Sequence, residues 1–119
     1  MRRSSMLFVL GVAVLGLAGC SGSDDHKADV AITACTPAAD DGKPVAEGQV
    51  TNPTSKTSNY SIRVSFFDES DNKVTEGIDA VTDVEPGSSS PWRVTGLQSQ
   101  NGPIDCRLGT VTRTVQPGG

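Results

Sequence analysis

Short segments in which apolar and polar residues alternate follow one another along the chain, with turn-forming residues between them. Alternation of period two is typical of a strand that buries one face, and closely spaced turns are typical of an all-β sandwich. In the clearest segment, Tyr60, Ile62, Val64 and Phe66 alternate with polar or charged residues. No segment after residue 28 carries apolar residues at helical spacing, so we predict an all-β domain.

The pattern predicts a single immunoglobulin-like sandwich of six or seven antiparallel strands. Strands are predicted near residues 30–35, 44–51, 60–66, 73–75, 78–84, 91–95 and 104–115, with a loop over 36–43 and turns at 52–55, 68–72, 85–87 and 101–103. Gly109 is expected to form a bulge that shifts the buried face from Leu108 to Val111. Trp92 alternates with Val94, which favours a core position for this indole over a ligand platform.

The first twenty residues follow a different pattern. Arg2 and Arg3 precede an uncharged run over residues 6–18, and Leu17-Ala18-Gly19-Cys20 closes that run. The run is shorter than the roughly 20 apolar residues of a membrane span, which favours a signal peptide over an uncleaved anchor. Small residues followed at once by a cysteine favour a lipobox over an ordinary signal-peptidase site. The paired arginines leave twin-arginine export open as an alternative.

A lipobox predicts cleavage before Cys20 and a palmitate-type lipid on its sulfur. Two or more acyl chains hold a protein stably on a membrane, whereas one chain binds only marginally. We therefore predict a lipoprotein signal peptide over residues 1–19, lipidated Cys20 with a flexible tether over 20–28, and a β-sandwich domain over 29–116. The expected location is the extracytoplasmic face of the cell membrane, with the lipid on Cys20 as the membrane contact.

Two cysteines remain once Cys20 carries lipid, namely Cys35 and Cys106. In an oxidising compartment they allow a single intramolecular pairing, and we predict a disulfide between the first strand and the last. Two separate buried thiols are the alternative, and the absence of a C-x-x-C spacing disfavours a redox-active pair. A bridge that closes so long a loop stabilises by about 4 kcal/mol in the chain-entropy model.

The charge balance limits the classes of partner. Removal of the signal peptide leaves eight basic residues against fourteen acidic ones. This argues against nucleic acid or anionic lipid, because both require clustered Lys and Arg. Neither G-x-x-x-x-G-K nor G-x-G-x-x-G occurs, so no nucleotide partner is expected. The only histidine, His26, lies in the predicted tether, which excludes a His-based catalytic triad within the domain. We expect a protein that is not an enzyme and has no cofactor.

Carboxylates cluster at the polar turn over residues 68–72. Asp68, Glu69 and Asp71 are candidates for a weak calcium site or for paired catalytic carboxylates, but a solvated turn is the simpler interpretation. The turn lacks the alternating ligand spacing and the glycine of an EF-hand loop. Both methionines lie in the signal peptide, which leaves copper or zinc almost without ligands. We expect no metal site, with Asp68 and Asp71 as the weak candidates.

Three short motifs, taken together in their order along the chain, resemble the motifs of a known family. Val64-Ser65-Phe66-Phe67-Asp68 is similar to the F-x-L-Y-D (FxLYD) pattern that names a family of bacterial extracytoplasmic sandwich domains. Gly48-Gln49-Val50-Thr51-Asn52 resembles its G-x-V-x-N strand, and Val84-Glu85-Pro86-Gly87-Ser88 resembles its L-x-P-G-x turn. The resemblance covers residues 28–115. Small lipoproteins of high-GC Gram-positive bacteria have a similar layout of lipobox, tether and two cysteines.

The resemblance implies a fold and a location but no activity. Val64, Phe66 and Phe67 depart from the Phe, Leu and Tyr of the pattern; they keep its apolar character and lose the tyrosine hydroxyl. The family-motif residues in this chain are Val64, Phe66, Phe67, Asp68, Pro86 and Gly87. We expect a non-catalytic module that contacts a protein or an envelope polymer. The alternative is an accessory lipoprotein that binds a small ligand or a cation.

Overall fold

Six antiparallel strands form two three-stranded sheets in the computed structural model, which describes residues 25–117. A short 3₁₀ helix (Lys27–Asp29) precedes them. The strands are β1 (Val30–Asp40), β2 (Lys43–Thr51), β3 (Ser58–Phe67), β4 (Lys73–Val84), β5 (Ser89–Thr95) and β6 (Asp105–Val115). The predicted all-β class is confirmed, with six strands.

The strand order is β1-β2-β5 in the first sheet and β4-β3-β6 in the second. Two connections are hairpins within one sheet, β1–β2 and β3–β4, and the other three cross between the sheets. The central pairs, β2 with β5 and β3 with β6, have the arrangement of an immunoglobulin-like sandwich. The predicted architecture is therefore confirmed.

The core lies between the two sheets and follows the predicted alternation. On β3, the side chains of Tyr60, Ile62, Val64 and Phe66 are each at most 2% exposed. Across the sandwich, β2 and β5 contribute buried side chains, including Trp92. Full burial of a medium-sized apolar side chain stabilises by about 1.5–3 kcal/mol, so this cluster is the main source of stability.

Gly48 lies in the middle of β2, where there is no space for a side chain. A Cβ atom at this position would collide with the main-chain oxygen of Ala31 and would lie 2.7 Å from Cζ2 of Trp92. Glycine therefore lets β1 and the indole of Trp92 approach the centre of the first sheet from two sides. The cost of glycine within a strand is offset by this close packing.

The predicted bulge at Gly109 is confirmed by the pairing between β3 and β6. Val64 pairs with Leu108 and Ile62 pairs with Val111, so two residues of β6 face the single residue Arg63 of β3. This register shift turns Val111 towards the core, where it is fully buried. A β-bulge adds one residue to a strand, so the residues after it point to the opposite face of the sheet from the one that alternation would give.

The predicted loop over residues 36–43 is wrong. Strand β1 continues to Asp40, and a two-residue turn with positive φ at Asp41 (52°) and Gly42 (78°) connects it to β2. An Asp-Gly pair suits this tight hairpin, in which Asp40 pairs with Lys43 after an irregularity over residues 37–39. The second half of β1 is exposed, so its sequence carries no alternation. Residues 73–75 and 78–84 likewise belong to one strand, β4, instead of two.

The chain is attached to the sandwich from His26 onwards, two residues before the predicted end of the tether. The His26 amide donates to the main-chain oxygen of Val111 at 2.9 Å. The predicted signal peptide and lipidated Cys20 lie outside the described residues. No helix within residues 25–117 is long and apolar enough to cross a membrane.

Candidate functional site at the hairpin end

The strand directions divide the surface of the sandwich into two opposite ends. At the entry end lie residues 25–29, the β2–β3 loop (52–57) and the β4–β5 turn (85–88). At the hairpin end lie the β1–β2 turn (41–42), the β3–β4 turn (68–72) and the β5–β6 loop (96–104). Both predicted carboxylate candidates, Asp68 and Asp71, are therefore at the end opposite to the chain entry.

The β5–β6 loop is tied to its neighbours at several points. The Gln100 amide donates to the main-chain oxygen of Gly42 at 2.9 Å, and the Ser99 hydroxyl donates to that of Asp41 at 3.0 Å. The Thr75 hydroxyl oxygen accepts from the amides of Leu97 at 2.9 Å and Gln98 at 3.2 Å. These contacts fix the loop from both sheets, although most of its side chains are exposed.

Asp68 uses its carboxylate to shape the turn that it begins. Its Oδ1 accepts from the amides of Ser70 at 2.9 Å and Asn72 at 3.0 Å. The Asp68 amide in turn donates to the main-chain oxygen of Asn72 at 2.9 Å. Asp residues commonly stabilise turns in this way. One carboxylate oxygen of Asp68 is thus already bound to main-chain donors.

Asp71 is held by Arg107 from the neighbouring strand β6. The Arg107 guanidinium pairs with Asp71 on one side and with Asp105 on the other, and it stacks 4.0 Å from the ring centroid of Phe67. The two carboxylates raise the pKa of Arg107 above its usual value, mainly through the hydrogen bond that Arg107 donates to Asp105. Asp71 and Asp68 therefore belong to the same turn but are bound by different partners.

A shallow cleft of about 220 Å³ lies beside this turn. Asp68, Glu69 and Ser70 form one wall, and Asn101, Gly102 and Pro103 form the other. Within residues 25–117 no three His, Cys, Asp or Glu side chains are grouped in a way that could hold a metal ion. The arrangement offers a polar, acidic surface between two loops, which suits contact with another molecule.

Two ion pairs that share one carboxylate lie on the outer face of the second sheet. The Lys73 ammonium donates to Glu76 at 2.6 Å, and Arg63 lies 3.4 Å from the other oxygen of the same carboxylate. The hydrogen bond from Lys73 is the main cause that lowers the pKa of Glu76. These exposed ion pairs stabilise little, and they lie beside Ile78, an exposed apolar side chain on the same face.

The disulfide between Cys35 and Cys106 is present and joins the edges of the two sheets. Cys35 lies on β1 and Cys106 on β6, with their Cα atoms 5.9 Å apart. Both strands have a neighbour on one side only, so their outer main-chain groups face solvent or the opposite edge. The prediction that the bridge joins the first and last strands is confirmed.

On the opposite side of the sandwich, β4 and β5 are held together by hydrogen bonds and close packing, without a covalent bond. Asp79 on β4 accepts from the Arg93 amide of β5 at 3.0 Å through Oδ2. Gly77 allows the same two strands to approach, because a Cβ atom there would collide with the main-chain oxygen of Thr95. Asp79 thus uses a main-chain donor on the edge of β5, and Thr75 uses two donors of the loop that follows β5.

The residues of the family-like motifs lie in three different environments. Val64 and Phe66 are core residues, and Phe67 is half-buried beneath Arg107. Pro86 and Gly87 form the exposed turn at the entry end, where Gly87 has a φ of 73° that favours glycine. The structure does not bring these residues together into one site.

Asn52 connects the two loops of the entry end, which the sequence pattern did not indicate. Its Nδ2 donates to the main-chain oxygens of Lys56 and Val84, both at 2.8 Å, and its Oδ1 accepts from the amide and hydroxyl of Thr54. The side chain is fully buried. The sequence did contain one indication of this residue, because Asn52 is the last residue of the motif that resembles G-x-V-x-N.

A second polar group, which is partly buried, anchors the 3₁₀ helix. The Tyr60 hydroxyl donates to Oδ2 of Asp29 at 2.9 Å, and Arg113 Nη1 donates to the same oxygen at 3.1 Å. Burial, followed by the hydrogen bond to Asp29, raises the pKa of Tyr60. The three residues come from three distant parts of the chain, so spacing in the sequence did not predict the group.

Trp92 is a core residue, as its alternation with Val94 predicted. Only 3% of the residue is exposed, and it packs within the cluster between the sheets. Its Nε1 is buried and finds no hydrogen-bond partner among the described residues.

No family model, curated protein or solved structure matches this chain. The resemblance to FxLYD domains remains a prediction from its motifs.

Proposed function

We propose that this chain is a lipid-anchored, non-catalytic extracytoplasmic module that presents its hairpin end to a protein or polymer of the cell envelope. The observation that carries the proposal is the position of the chain entry. Residues 25–29 attach at the entry end, so a lipid on Cys20 holds that end towards the membrane. The two hairpin turns and the β5–β6 loop then face away from the membrane.

The chemistry of the hairpin end supports contact instead of catalysis. Its exposed groups are a turn shaped by Asp68, an ion pair of Asp71 with Arg107, and an uncharged loop over residues 96–104 on which Leu97 is 70% exposed. The only histidine lies at the opposite end. Rigid loops on a sandwich are a common way to build a binding surface. The resemblance to FxLYD domains points to the same location and to the same kind of module.

Site-specific crosslinking in intact cells tests which end is in contact. A photoreactive amino acid in place of Gln98 probes the hairpin end, and the same group in place of Ser55 probes the entry end. Both positions are exposed, so they form a matched pair. We expect discrete high-mass adducts from position 98 and not from position 55. Adducts from position 55 alone would contradict the proposal.

The lipid anchor has its own test. Cys20→Ala should abolish incorporation of labelled palmitate and should move the protein from the membrane fraction to an unprocessed or released form. Cys35→Ser serves as a control because it removes a different cysteine and leaves the lipobox intact. A cleaved Cys20→Ala protein that stays in the membrane fraction would show that lipid on Cys20 is not the anchor.

The second candidate, binding of a cation or small ligand, has the cleft beside Asp68 in its favour. Against it, Asp71 is paired with Arg107 and one oxygen of Asp68 is bound by main-chain amides. A ligand at a hundredfold excess over Kd stabilises the native state by about 2.7 kcal/mol. We expect no change of Tm in millimolar calcium. A rise of several degrees that is lost in Asp68→Asn/Asp71→Asn would favour the second candidate.

A further inference from the structure

The hairpin end carries an Asn-Gly pair in an open conformation, at Asn101 and Gly102 of the β5–β6 loop. Both residues are exposed and lie outside the strands. Gly102 has a φ of 91°, and a Cβ atom at its position would meet no atom within 4 Å. Among the described residues, no hydrogen bond engages the Gly102 amide or the Asn101 side chain. The main-chain nitrogen of Gly102 is therefore free to approach the amide carbon of Asn101.

We propose that Asn101 is a site of spontaneous modification in which water converts its amide to a carboxylate. The main-chain nitrogen of Gly102 attacks Cγ of Asn101, so that a new N–C bond forms and the Cγ–Nδ2 bond breaks. Nδ2 leaves as ammonia and carries away the proton that the Gly102 amide gives up. Water then opens the resulting five-membered imide at either carbonyl. The products are aspartate and isoaspartate, and no oxidant or reductant takes part.

The other asparagines of the chain provide an internal comparison, because the fold or the following residue disfavours the reaction at each. Asn52 is fully buried, both of its side-chain polar atoms are bound, and the following Pro53 has no amide proton. The Oδ1 of Asn59 accepts from the Asp83 amide, and Asn59 lies within β3. Asn72 precedes Lys73, the first residue of β4, whose side chain hinders approach of its amide nitrogen.

The reaction would change the surface that the proposed function uses, while leaving the core untouched. Asn101 faces Asp68 and Glu69 across the cleft, so a carboxylate at residue 101 adds negative charge to an already acidic end. The isoaspartate form also inserts a methylene into the main chain next to Gln100, whose amide ties the loop to Gly42. The hairpin end would therefore become more acidic and locally altered as the protein ages.

Incubation of the purified full chain in mildly alkaline buffer, followed by peptide mass mapping and an isoaspartate assay, tests the proposal. We expect conversion at Asn101 alone, with the charge change of one added carboxylate on isoelectric focusing. Asn101→Gln should abolish that charge change, Gly102→Ala should slow it, and Asn72→Gln should leave it unaltered. The rate in the folded chain should match that in a synthetic peptide of residues 98–105. Conversion at Asn101 no faster than at Asn72, or strong protection in the folded chain, would overturn the proposal.

Discussion

At the scale of single residues, Asn52 is a buried polar side chain that joins the β2–β3 loop to the end of β4. It has a complete set of partners, with two carbonyl oxygens on its amide nitrogen and two donors on its oxygen. A buried donor or acceptor that loses its partner costs about 1–3 kcal/mol. Removal of this one side chain would leave several such groups unpaired.

Asn52→Ala should therefore lower the free energy of unfolding by about 2–4 kcal/mol, measured in urea. Asn52→Asp should cost at least as much, because a carboxylate cannot donate to the oxygens of Lys56 and Val84 and is itself buried. Asn72→Ala, at an exposed position, is the matched control and should cost little. An Asn52→Ala protein as stable as the control would show that the bonds of Asn52 are not needed.

Tyr60 gives the entry end a dependence on alkaline pH. Because its pKa is raised in the folded state, the native protein keeps the phenol proton at pH values where the unfolded chain has lost it. The stability that follows is complete below the unfolded pKa near 10 and is lost as the pH rises through the folded pKa. The direction is thus a loss of stability above about pH 10.

The pKa of this group is directly measurable, because Tyr60 is the only tyrosine in the chain. Ultraviolet titration of tyrosinate absorbance should give a midpoint above that of free tyrosine, and Asp29→Asn should lower that midpoint towards the free value. Tyr60→Phe should abolish the spectral change and should flatten the loss of stability at high pH. A normal midpoint in the native protein would contradict the buried hydrogen bond to Asp29.

Alternation along the sequence was sufficient to predict the apolar core, since burial of Ile62 or Val94 depends only on which face of a strand a residue occupies. The buried polar groups were not predictable in this way. Asn52 binds Val84, and Asp29 binds Tyr60 and Arg113, so the partners meet only when the sheets pack. A local pattern contains no information on such partners.

At the scale of elements, β4 closes one side of the sandwich through its side chains. Thr75 accepts from two amides of the β5–β6 loop, and Asp79 accepts from the Arg93 amide of β5. The Arg93 amide lies on the edge of β5 and would otherwise be open to pairing with another chain. Natural sheets commonly protect their edges in such ways.

Thr75→Val keeps the shape of the side chain but removes the acceptor, so we expect a loss of about 1–2 kcal/mol in unfolding free energy. Hydrogen exchange at the amides of Leu97 and Gln98 should become faster. Thr75→Ser is the matched variant, because it keeps the hydroxyl and removes the methyl group; exchange at the two amides should stay slow. Equal exchange rates in both variants would show that the hydroxyl does not hold the loop.

The ends of elements were predicted well where a turn residue follows a buried strand, as at Pro86 and Gly87 after β4. The prediction failed for residues 36–40, because this part of β1 is exposed on both faces. Its strand conformation comes from the hairpin through Asp41 and Gly42, which the sequence contains but alternation does not reveal. Pairing of Thr36 with Val45 and of Asp40 with Lys43, and not burial, keeps this segment in the sheet, with an irregularity between the two pairs.

At the scale of the whole molecule, the disulfide joins two sheets that otherwise contact each other through the core. Cys35 and Cys106 lie on the edge strands β1 and β6, so the bridge closes one side of the sandwich while β4 and β5 close the other. Its position was predictable because only one pairing remains once Cys20 is excluded. The free energy it contributes is a large share of the stability of so small a domain.

Cys35→Ser should lower the free energy of unfolding by about 2–5 kcal/mol. The double change Cys35→Ser/Cys106→Ser should cost little more than either single change, since all three remove the same bond. Alkylation of the unreduced, exported protein measures the bridge directly, and we expect no labelling at either cysteine. Full labelling of both thiols would show that the bridge does not form in the cell.

The direction of β1 gives the molecule a particular response to mechanical load. Tension between the entry end and the hairpin end pulls β1 along its own axis, so its hydrogen bonds to β2 are strained together in shear. Once residues 30–34 slip, tension passes through Cys35 to Cys106 and bypasses residues 36–97.

A molecule held at residues 26 and 98 should extend to about 60 Å when oxidised and to about 250 Å when reduced, at about 3.5 Å per residue. Single-molecule pulling would measure this difference, and equal extensions would contradict the expected load path. Under oxidising conditions the domain would act as a short, nearly inextensible link that transmits force from its loops to whatever holds its N-terminal segment.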